Sequence, residues 1–294
     1  MAKTPTQDLE TSVQLTHPER IYWPDDGVSK QDLVDYYALA WRRMAPFVID
    51  RPLALLRCPD GIKGPRFFQK HAWKGINPHI EEIVDPEDKD GEKLLRIRDF
   101  DGLVALAQSA ALEIHPWGTT TAHWEKPDMI IMDLDPSEDV AWSAVIMAAK
   151  EIKERFLALG LASFVKTSGG KGLHVVAPLK PKATWPDVKA AAEAIADGMS
   201  ADNPEKYLSV AAKAKRVGHI FIDYLRNGRG NTAVAPYSTR ARPGAAISMP
   251  LAWDELTDRT GPSSFTVKNA APRLGERSAD PWANFFEAAE PLKS

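Results

Sequence analysis

The run Met129-Ile130-Ile131-Met132-Asp133-Leu134-Asp135-Pro136 constrains the fold more than any other stretch of the chain. Its apolar residues predict a strand. Alternate side chains on a strand share a face, so Asp133 and Asp135 point the same way. Pro136 stops the strand, because proline has no N–H to give to a ladder, and the pair therefore lies at the strand's exit. Two carboxylates within a few Å repel unless something cationic sits between them. A divalent ion with oxygen ligands, Mg²⁺ or Mn²⁺, meets that need. Two solvated turn aspartates at a strand end are the plainer reading of the same residues.

The totals narrow the setting. A chain of 294 residues admits one large domain or two intimate ones, and 44% hydrophobic residues support a substantial core. The formal net charge is −3, so any nucleic-acid surface has to be a local patch. The single cysteine, Cys58, excludes a disulfide framework and a thiolate zinc site, and reads as a small buried hydrophobe. The first residues lack an apolar signal core, and no apolar run reaches membrane-spanning length. A soluble, reducing, cytoplasmic setting is expected.

Taken in order, residues 1–18 read as a loose arm or short strands. Ser29 is a helix cap with Asp32 completing a near capping box, and Leu33, Tyr36, Tyr37 and Trp41 carry the helix to about Arg43. Residues 51–59 form a strand bounded by prolines. Residues 63–74 interleave Lys63, Arg66, Lys70 and Lys74 with Phe67, Phe68 and Trp73. Cations of this kind meet phosphates and rings stack on bases. A strand whose aromatics fill the core is the alternative, and adjacent phenylalanines on a strand face opposite ways. Residues 81–102 are acidic and predict a hairpin with its tip near 85–92. A helix over 103–112 precedes a strand end at Glu113–Gly118 that carries His115.

After Pro136, Ser137 is the expected cap of a helix over 138–158, with Val140, Ala144, Met147, Ile152 and Phe156 inward. Strands at 162–166 and 175–178 flank Thr167-Ser168-Gly169-Gly170-Lys171-Gly172-Leu173-His174. Glycines let backbone N–H groups approach an anion, and the hydroxyl, lysine and histidine add donors and charge, so this turn suits a phosphate. It is not a Walker A loop, since Val165 and Gly172 stand where that loop needs a glycine and a Ser or Thr. A glycine-rich hairpin is the competing reading. Helices are expected at 185–200 and 203–214. A further apolar strand, 219–227, contains Asp223, a costly residue in such a run unless paired or metal-bound. Residues 205–242 hold eight Lys or Arg against two acidic residues, the patch that the net charge conceals. A short terminal helix is expected within 270–294.

Three carboxylates able to hold two metals, a glycine turn able to hold a triphosphate, and nearby arginines make a nucleotidyl-transfer site. The Asp-x-Asp strand end, the Ser-Gly-Gly-Lys-Gly-x-His turn and the later aspartate resemble motifs I to III of the archaeo-eukaryotic primase superfamily. The likeness is closest to the polymerase domain of bacterial ligase D, and extends to Arg20, Lys30, Phe67–Phe68, Glu113–Gly118 and Tyr237–Gly244. The resemblance implies that Asp133, Asp135 and Asp223 are the metal ligands and catalytic carboxylates. It implies that Ser168, Lys171 and His174, helped by Arg240, hold the triphosphate, with His115 near the sugar or the metals. Arg20 and Lys30 would bind a 5′-phosphate at a DNA gap or end, and Phe67 and Phe68 would contact the template. An NTP or dNTP substrate, a ribonucleotide preference, Mn²⁺ or Mg²⁺ as a pair of ions, and bacterial nonhomologous end joining with Ku and with ligase and phosphoesterase domains are likewise implied. Two rivals are a dehalogenase-type phosphatase using the same Asp-x-Asp, which wants a late acidic pair not found here, and a catalytically silent DNA-end-binding module.

The expected fold is α+β, a mixed α/β arrangement of primase-polymerase type. A central mixed or antiparallel sheet bears the aspartates between flanking helices. The chain is read as one catalytic domain over 1–294, with an N-terminal subdomain to roughly 110 and a metal-bearing subdomain over 111–294.

Overall fold

A computed structural model describes residues 9–88, 90–212, 215–275 and 278–293. A hairpin of β1 (Ile21–Trp23) and β2 (Val28–Ser29) feeds α1 (Lys30–Val48). Ser29 caps that helix as its sequence predicts: its Oγ accepts from Asp32 N–H at 3.1 Å, while the Asp32 carboxylate accepts from Ser29 N–H at 2.7 Å. The helix runs past Arg43 because Phe47 and Val48 continue its buried face. Pro46 falls in the last turn, and Ile49 N–H closes the end on Ala45 O.

A five-stranded sheet follows, of β3 (Leu53–Arg57), β4 (Phe67–Gln69), β5 (Glu81–Val84), β6 (Lys93–Arg96) and β7 (Ala111–Pro116). Strand β3 pairs with β4, β6 and β7, all antiparallel, and β5 and β6 form the expected acidic hairpin. Helix α2 spans Phe100–Gln108 rather than 103–112. It starts earlier because the Asp99 side chain accepts from Gly102 N–H. It stops earlier because Ala110 takes a left-handed φ of 59° and turns the chain into β7.

The second sheet has six strands in the order β11 (Tyr207–Leu208), β12 (Ile220–Asp223), β8 (Met129–Pro136), β10 (Leu173–Pro178), β9 (Phe164–Thr167), β13 (Pro250–Leu251). Only the β11–β12 pair is parallel. Helix α3 (Trp142–Ala158) packs on β8 and β10, and α4 (Trp185–Asp202) on β8. Ser137 does not cap α3; its Oγ donates to Asp139, and Ala141 holds the cap position. The face turned to the sheet is Val145, Ala148, Ala149, Ile152 and Phe156, which leaves Met147 exposed. No helix forms over 203–212. Tyr207 instead buries its ring and pairs with Ile220, and residues 213–214 lie outside the described residues. Near the C-terminus, α5 covers only Ala271–Leu274. Trp282 and Phe285 stack at 5.0 Å and pack against Phe47 and Phe164. Among the described residues no helix is long and apolar enough to cross a membrane.

The sheets are joined by the segment after β12. Ala235 N–H donates to Ile114 O, Ser238 Oγ accepts from Ile114 N–H, and Thr239 Oγ1 donates to Leu112 O. Tyr36 on α1 donates to Tyr237 O at 2.6 Å. The outer side of β7 is therefore held against the chain that follows β12 of the six-stranded sheet. Another clamp lies just before β8. Arg51, 1% exposed, donates to both carboxylate oxygens of Asp128, at 2.9 and 2.5 Å. Arg51→Ala would strand the Asp128 carboxylate, so a loss of about 3–5 kcal/mol is expected from urea unfolding. A loss below about 1 kcal/mol would place the pair with solvated surface bridges.

Candidate active site

Register places the carboxylates. Asp133 on β8 lies directly opposite Asp223 on β12 and directly opposite His174 on β10, and His174 in turn faces Lys166 on β9. Lys166, His174, Asp133 and Asp223 thus form one row across four strands, on one face of the sheet. Asp135 stands two residues further along β8 on the same face. Burial is the main reason that the Asp133 carboxyl is pushed up to about 6, and Asp223 and Asp135 add to it against the pull of Arg226 and Lys166. Arg226 bridges the facing pair, with Nε 3.5 Å from Asp133 and Nη2 2.9 Å from Asp223. Asp135, more exposed, pairs with Arg216 at 2.7 Å.

No three Asp, Glu, His or Cys side chains converge in a coordinating set among the described residues, and arginines pair with Asp135 and Asp223. The donor chemistry nevertheless fits a divalent cation. Asp133, Asp135 and Asp223 are hard oxygen donors at neighbouring positions, and burial makes the ionised Asp133 carboxylate costly unless a cation accompanies it.

The turn between β9 and β10 is organised by Ser168, whose Oγ accepts from Gly170 N–H and Gly172 N–H, each at 3.1 Å. Those donors are directed to the turn's own hydroxyl. Gly172 is required here, since a Cβ would stand 1.7 Å from Leu134 O and force β10 off β8. Lys171 is half-exposed and reaches Glu138 at 2.9 Å. His174 is buried, with Nε2 3.4 Å from Asp133 and Nδ1 without a partner. Burial, then Lys166, Arg240 and Arg226, hold its pKa well below the ordinary histidine range, so it is neutral near pH 7. Burial also draws Lys166 well below the usual lysine range, against the attraction of Asp133.

Strand β7 supplies the opposite wall. Glu113 and His115, two residues apart, share a face and bond at 2.8 Å. Burial would raise Glu113, but His115, Arg240 and Ala241 N–H hold it down at about 2. Burial lowers His115, although Glu113 opposes it. Phe68 meets the His115 ring edge-on at 5.4 Å. Phe67 and Phe68 are both exposed, at 43% and 60%, instead of dividing between core and solvent. Their strand is short, and the Arg57 guanidinium covers the Phe67 ring in place of core.

These walls enclose a cleft of about 890 Å³ lined by Phe67, Phe68, Glu113, His115, Asp133 and Arg240. It shares Asp133, His174, Arg226, Arg240 and Arg242 with a pocket of about 310 Å³ that adds Asp135, Ser168 and Lys171. Asp223 lies at the edge of this space through its rung with Asp133.

Arg20 and Lys30 line neither cavity. Arg20 is exposed and donates to Pro59 O. Lys30 is 3% exposed, and its ammonium donates to Thr16 O at 2.5 Å and Gln108 Oε1 at 3.1 Å. It therefore ties the N-terminal arm to α2, where the helix-start reading expects an open cation. The sequence reading gives no individual role to Lys166, Arg216, Glu113 or Arg226, which enter it only as members of strands or of the basic stretch. Two signals were present: the two-residue spacing of Glu113 and His115, and the three-residue spacing of Asp223 and Arg226 into a tight turn.

The family described as LigD, primase-polymerase domain, matches residues 29–282. The multifunctional non-homologous end joining protein LigD of Pseudomonas aeruginosa is 37% identical over 274 residues, covering 93% of this chain and 33% of that protein. The bifunctional LigD of Bacillus subtilis is 26% identical over 293 residues, covering 98% of this chain and 47% of its own length. This chain thus spans a third to a half of these relatives. The polymerase domain of Mycobacterium tuberculosis ligase D, solved in complex with DNA, superposes with a TM-score of 0.86 at 27% identity and covers 95% of this chain and 100% of that one.

The charge at Asp133 yields a test. Its carboxyl titrates near 6 folded, against an ordinary 3.8, so between those values the folded protein binds more protons than the unfolded chain. Stability of the metal-free protein should then fall as pH rises from about 4 to about 6 and stay lower above that. Asp133→Asn should flatten this slope and raise Tm at pH 7. A lower or unchanged Tm at pH 7 would mean that Arg226 already compensates the charge.

Proposed function

The chain belongs to the LigD primase-polymerase family, and from that premise we propose that it extends the 3′ ends of DNA primers at gaps and broken ends. The observation that carries this reading is the Asp133–Asp223 rung, with Asp135 beside it, at a cleft that has a glycine turn on one side and exposed aromatics on the other. The family is one of nucleotidyltransferases, a DNA-directed polymerase class, which sets aside the phosphatase and non-catalytic readings.

Asp133, Asp135 and Asp223 would hold two divalent ions, Mn²⁺ or Mg²⁺, which when bound neutralise the phosphoryl oxygens and favour the ionised 3′-hydroxyl. The rest follows from the chain's own groups. Arg240 and Arg242 face the pocket and supply positive charge to a triphosphate. Lys171, held only by exposed Glu138, is free to exchange that partner for a phosphate. Neutral His174 offers an N–H to a phosphate oxygen, and the Ser168 turn shapes the surface beneath it. His115, fixed by Glu113, faces the sugar side of the cleft. Phe67 and Phe68 present ring faces on which template bases stack. The N-terminal residues, to about 110, serve chiefly the template side together with β7, which pairs with β3, and the rest of residues 111–294 the metal side. A ribonucleotide or deoxynucleotide serves as substrate, with ribonucleotides favoured. The relatives' names support a place in nonhomologous end joining. The setting and partners proposed with it are the bacterial cytoplasm, at the nucleoid, Ku, and ligase and phosphoesterase domains.

Primer extension on gapped DNA, with ribo- and deoxynucleotides and either ion, tests the reaction. Asp133→Ala or Asp223→Ala should cut extension by about 10²-fold or more while DNA affinity stays. Near-normal extension by either variant would overturn the assignment.

Arg20 and Lys30 are proposed as the 5′-phosphate site. Their backbones are joined by Lys30 N–H to Arg20 O at 2.8 Å, so the two cations start from adjacent positions. A terminal phosphate carries more charge than an internal one and can draw the Lys30 ammonium from Thr16 O. Replacing both by alanine should lower affinity for a 5′-phosphorylated gap and barely change it for the hydroxyl form, with the difference shrinking as salt rises. If Lys30→Ala lowers Tm and leaves that preference intact, Lys30 serves only to anchor the arm.

A further inference from the structure

Lys166 is the one member of the buried row for which the reaction has no use. It is 2% exposed and lies directly across from His174 in the β9–β10 register. Its Nζ donates to Ser248 Oγ at 2.6 Å. The Ser248 hydroxyl gives its own proton to Thr167 O at 3.0 Å, so toward the lysine it can only accept. The remaining N–H groups of Lys166 need another acceptor.

One is at hand. His174 Nδ1 is buried and has no partner. Behind the imidazole lies a cavity of about 20 Å³, enough for one water, and Lys166 and His174 are the titratable side chains lining it. Its other walls are apolar, among them Phe47, Ile131, Val176 and Trp282. A neutral imidazole carries one proton on one of two nitrogens. A proton on Nδ1 would face N–H donors at the back while Nε2 turned a lone pair to the Asp133 carboxylate. A proton on Nε2 satisfies both sides.

We propose that Lys166 is a positioning residue for His174: its N–H groups, directly or through one water, engage Nδ1 and keep the Nε2–H aimed at Asp133 and the nucleotide pocket. The arrangement works as an outer support for a residue at a charged site, setting tautomer and ring orientation together. It rests on the reading of His174 as a nucleotide contact, and adds what makes that contact directional.

The test is ¹⁵N NMR of the whole chain labelled in histidine, with His174 assigned by its loss in His174→Asn. The intact protein should show His174 as the Nε2–H tautomer. Lys166→Met should erase that preference, and Ser248→Ala, which releases the lysine's anchor along with the hydroxyl's bond to Thr167 O, should weaken it. In primer extension, Lys166→Met should raise the nucleotide KM by about tenfold with a smaller change in kcat. Should Lys166→Met fail to fold, Ser248→Ala carries the test. An unchanged His174 tautomer in the folded variants would overturn the proposal, as would a loss of Tm with KM unaltered, which marks a core lysine. The tautomer is read without any polymerase activity, so its failure is separable from failure of the polymerase reading.

Discussion

Asp133 faces Asp223 across one rung of an antiparallel ladder, and much of the surrounding structure answers that placement. Two carboxylates on neighbouring strands of a buried sheet cannot separate without breaking the ladder. Charge has to come to them. Arg226 follows Asp223 by three residues because β12 ends there and a tight turn, Leu225–Asn227, brings the guanidinium back over the rung. That early end would leave Ile131 on β8 without a partner. Asn227 fills the gap with its side chain, accepting from Ile131 N–H at 2.8 Å and donating to Ile131 O at 2.7 Å. A side-chain amide thus takes over for a missing strand residue, and the turn that carries the counter-charge is fixed to the strand that carries the charge.

The cleft contains a second buried carboxylate with the opposite behaviour. Glu113 is held down at about 2 and Asp133 is pushed up to about 6, although both line one cavity. The difference lies in what each oxygen touches. Glu113 receives His115, Ala241 N–H and the charge of Arg240, so its lone pairs are committed. Asp133 has a histidine at 3.4 Å and a guanidinium at 3.5 Å, both long, and a like charge opposite. One carboxylate is a fixed strut, and the other has coordination to spare. Two carboxylates in one cleft are thus set apart by their environments.

Local signals carried well where a single stretch decided the outcome. The Ser29–Asp32 box, the strand 129–136 and the acidic hairpin were legible because caps, period-two alternation and turn residues act within a few positions. Boundaries set by tertiary contact were not. Phe47 and Val48 prolong α1 because there is core for them to enter, and Tyr207 and Leu208 form a strand because β12 offers an edge. At the site, the types of residue were readable but their partners were not. Nothing in the order of residues says that Lys30 turns inward to Thr16, or that Lys166 stands across from His174, since both depend on registers between distant segments.

The joint between the two sheets ties these observations together. Glu113 lies on β7, in the sheet that carries Phe67 and Phe68, while Arg240 follows β12 and donates to Ser168 O in the turn of the other sheet. The Glu113–Arg240 pair at 3.1 Å therefore spans from the aromatic wall to the glycine turn. Tyr36 and Tyr37 on α1 hold the same segment through Tyr237 O and Thr239 Oγ1. A group that engaged Arg240 from the pocket would pull on the charge that keeps Glu113 ionised, and through Glu113 on His115 and the Phe68 ring against it. The two walls of the cleft are thus joined by a continuous chain of charged and polar contacts, whose middle member is Arg240, an arginine that lines the pocket.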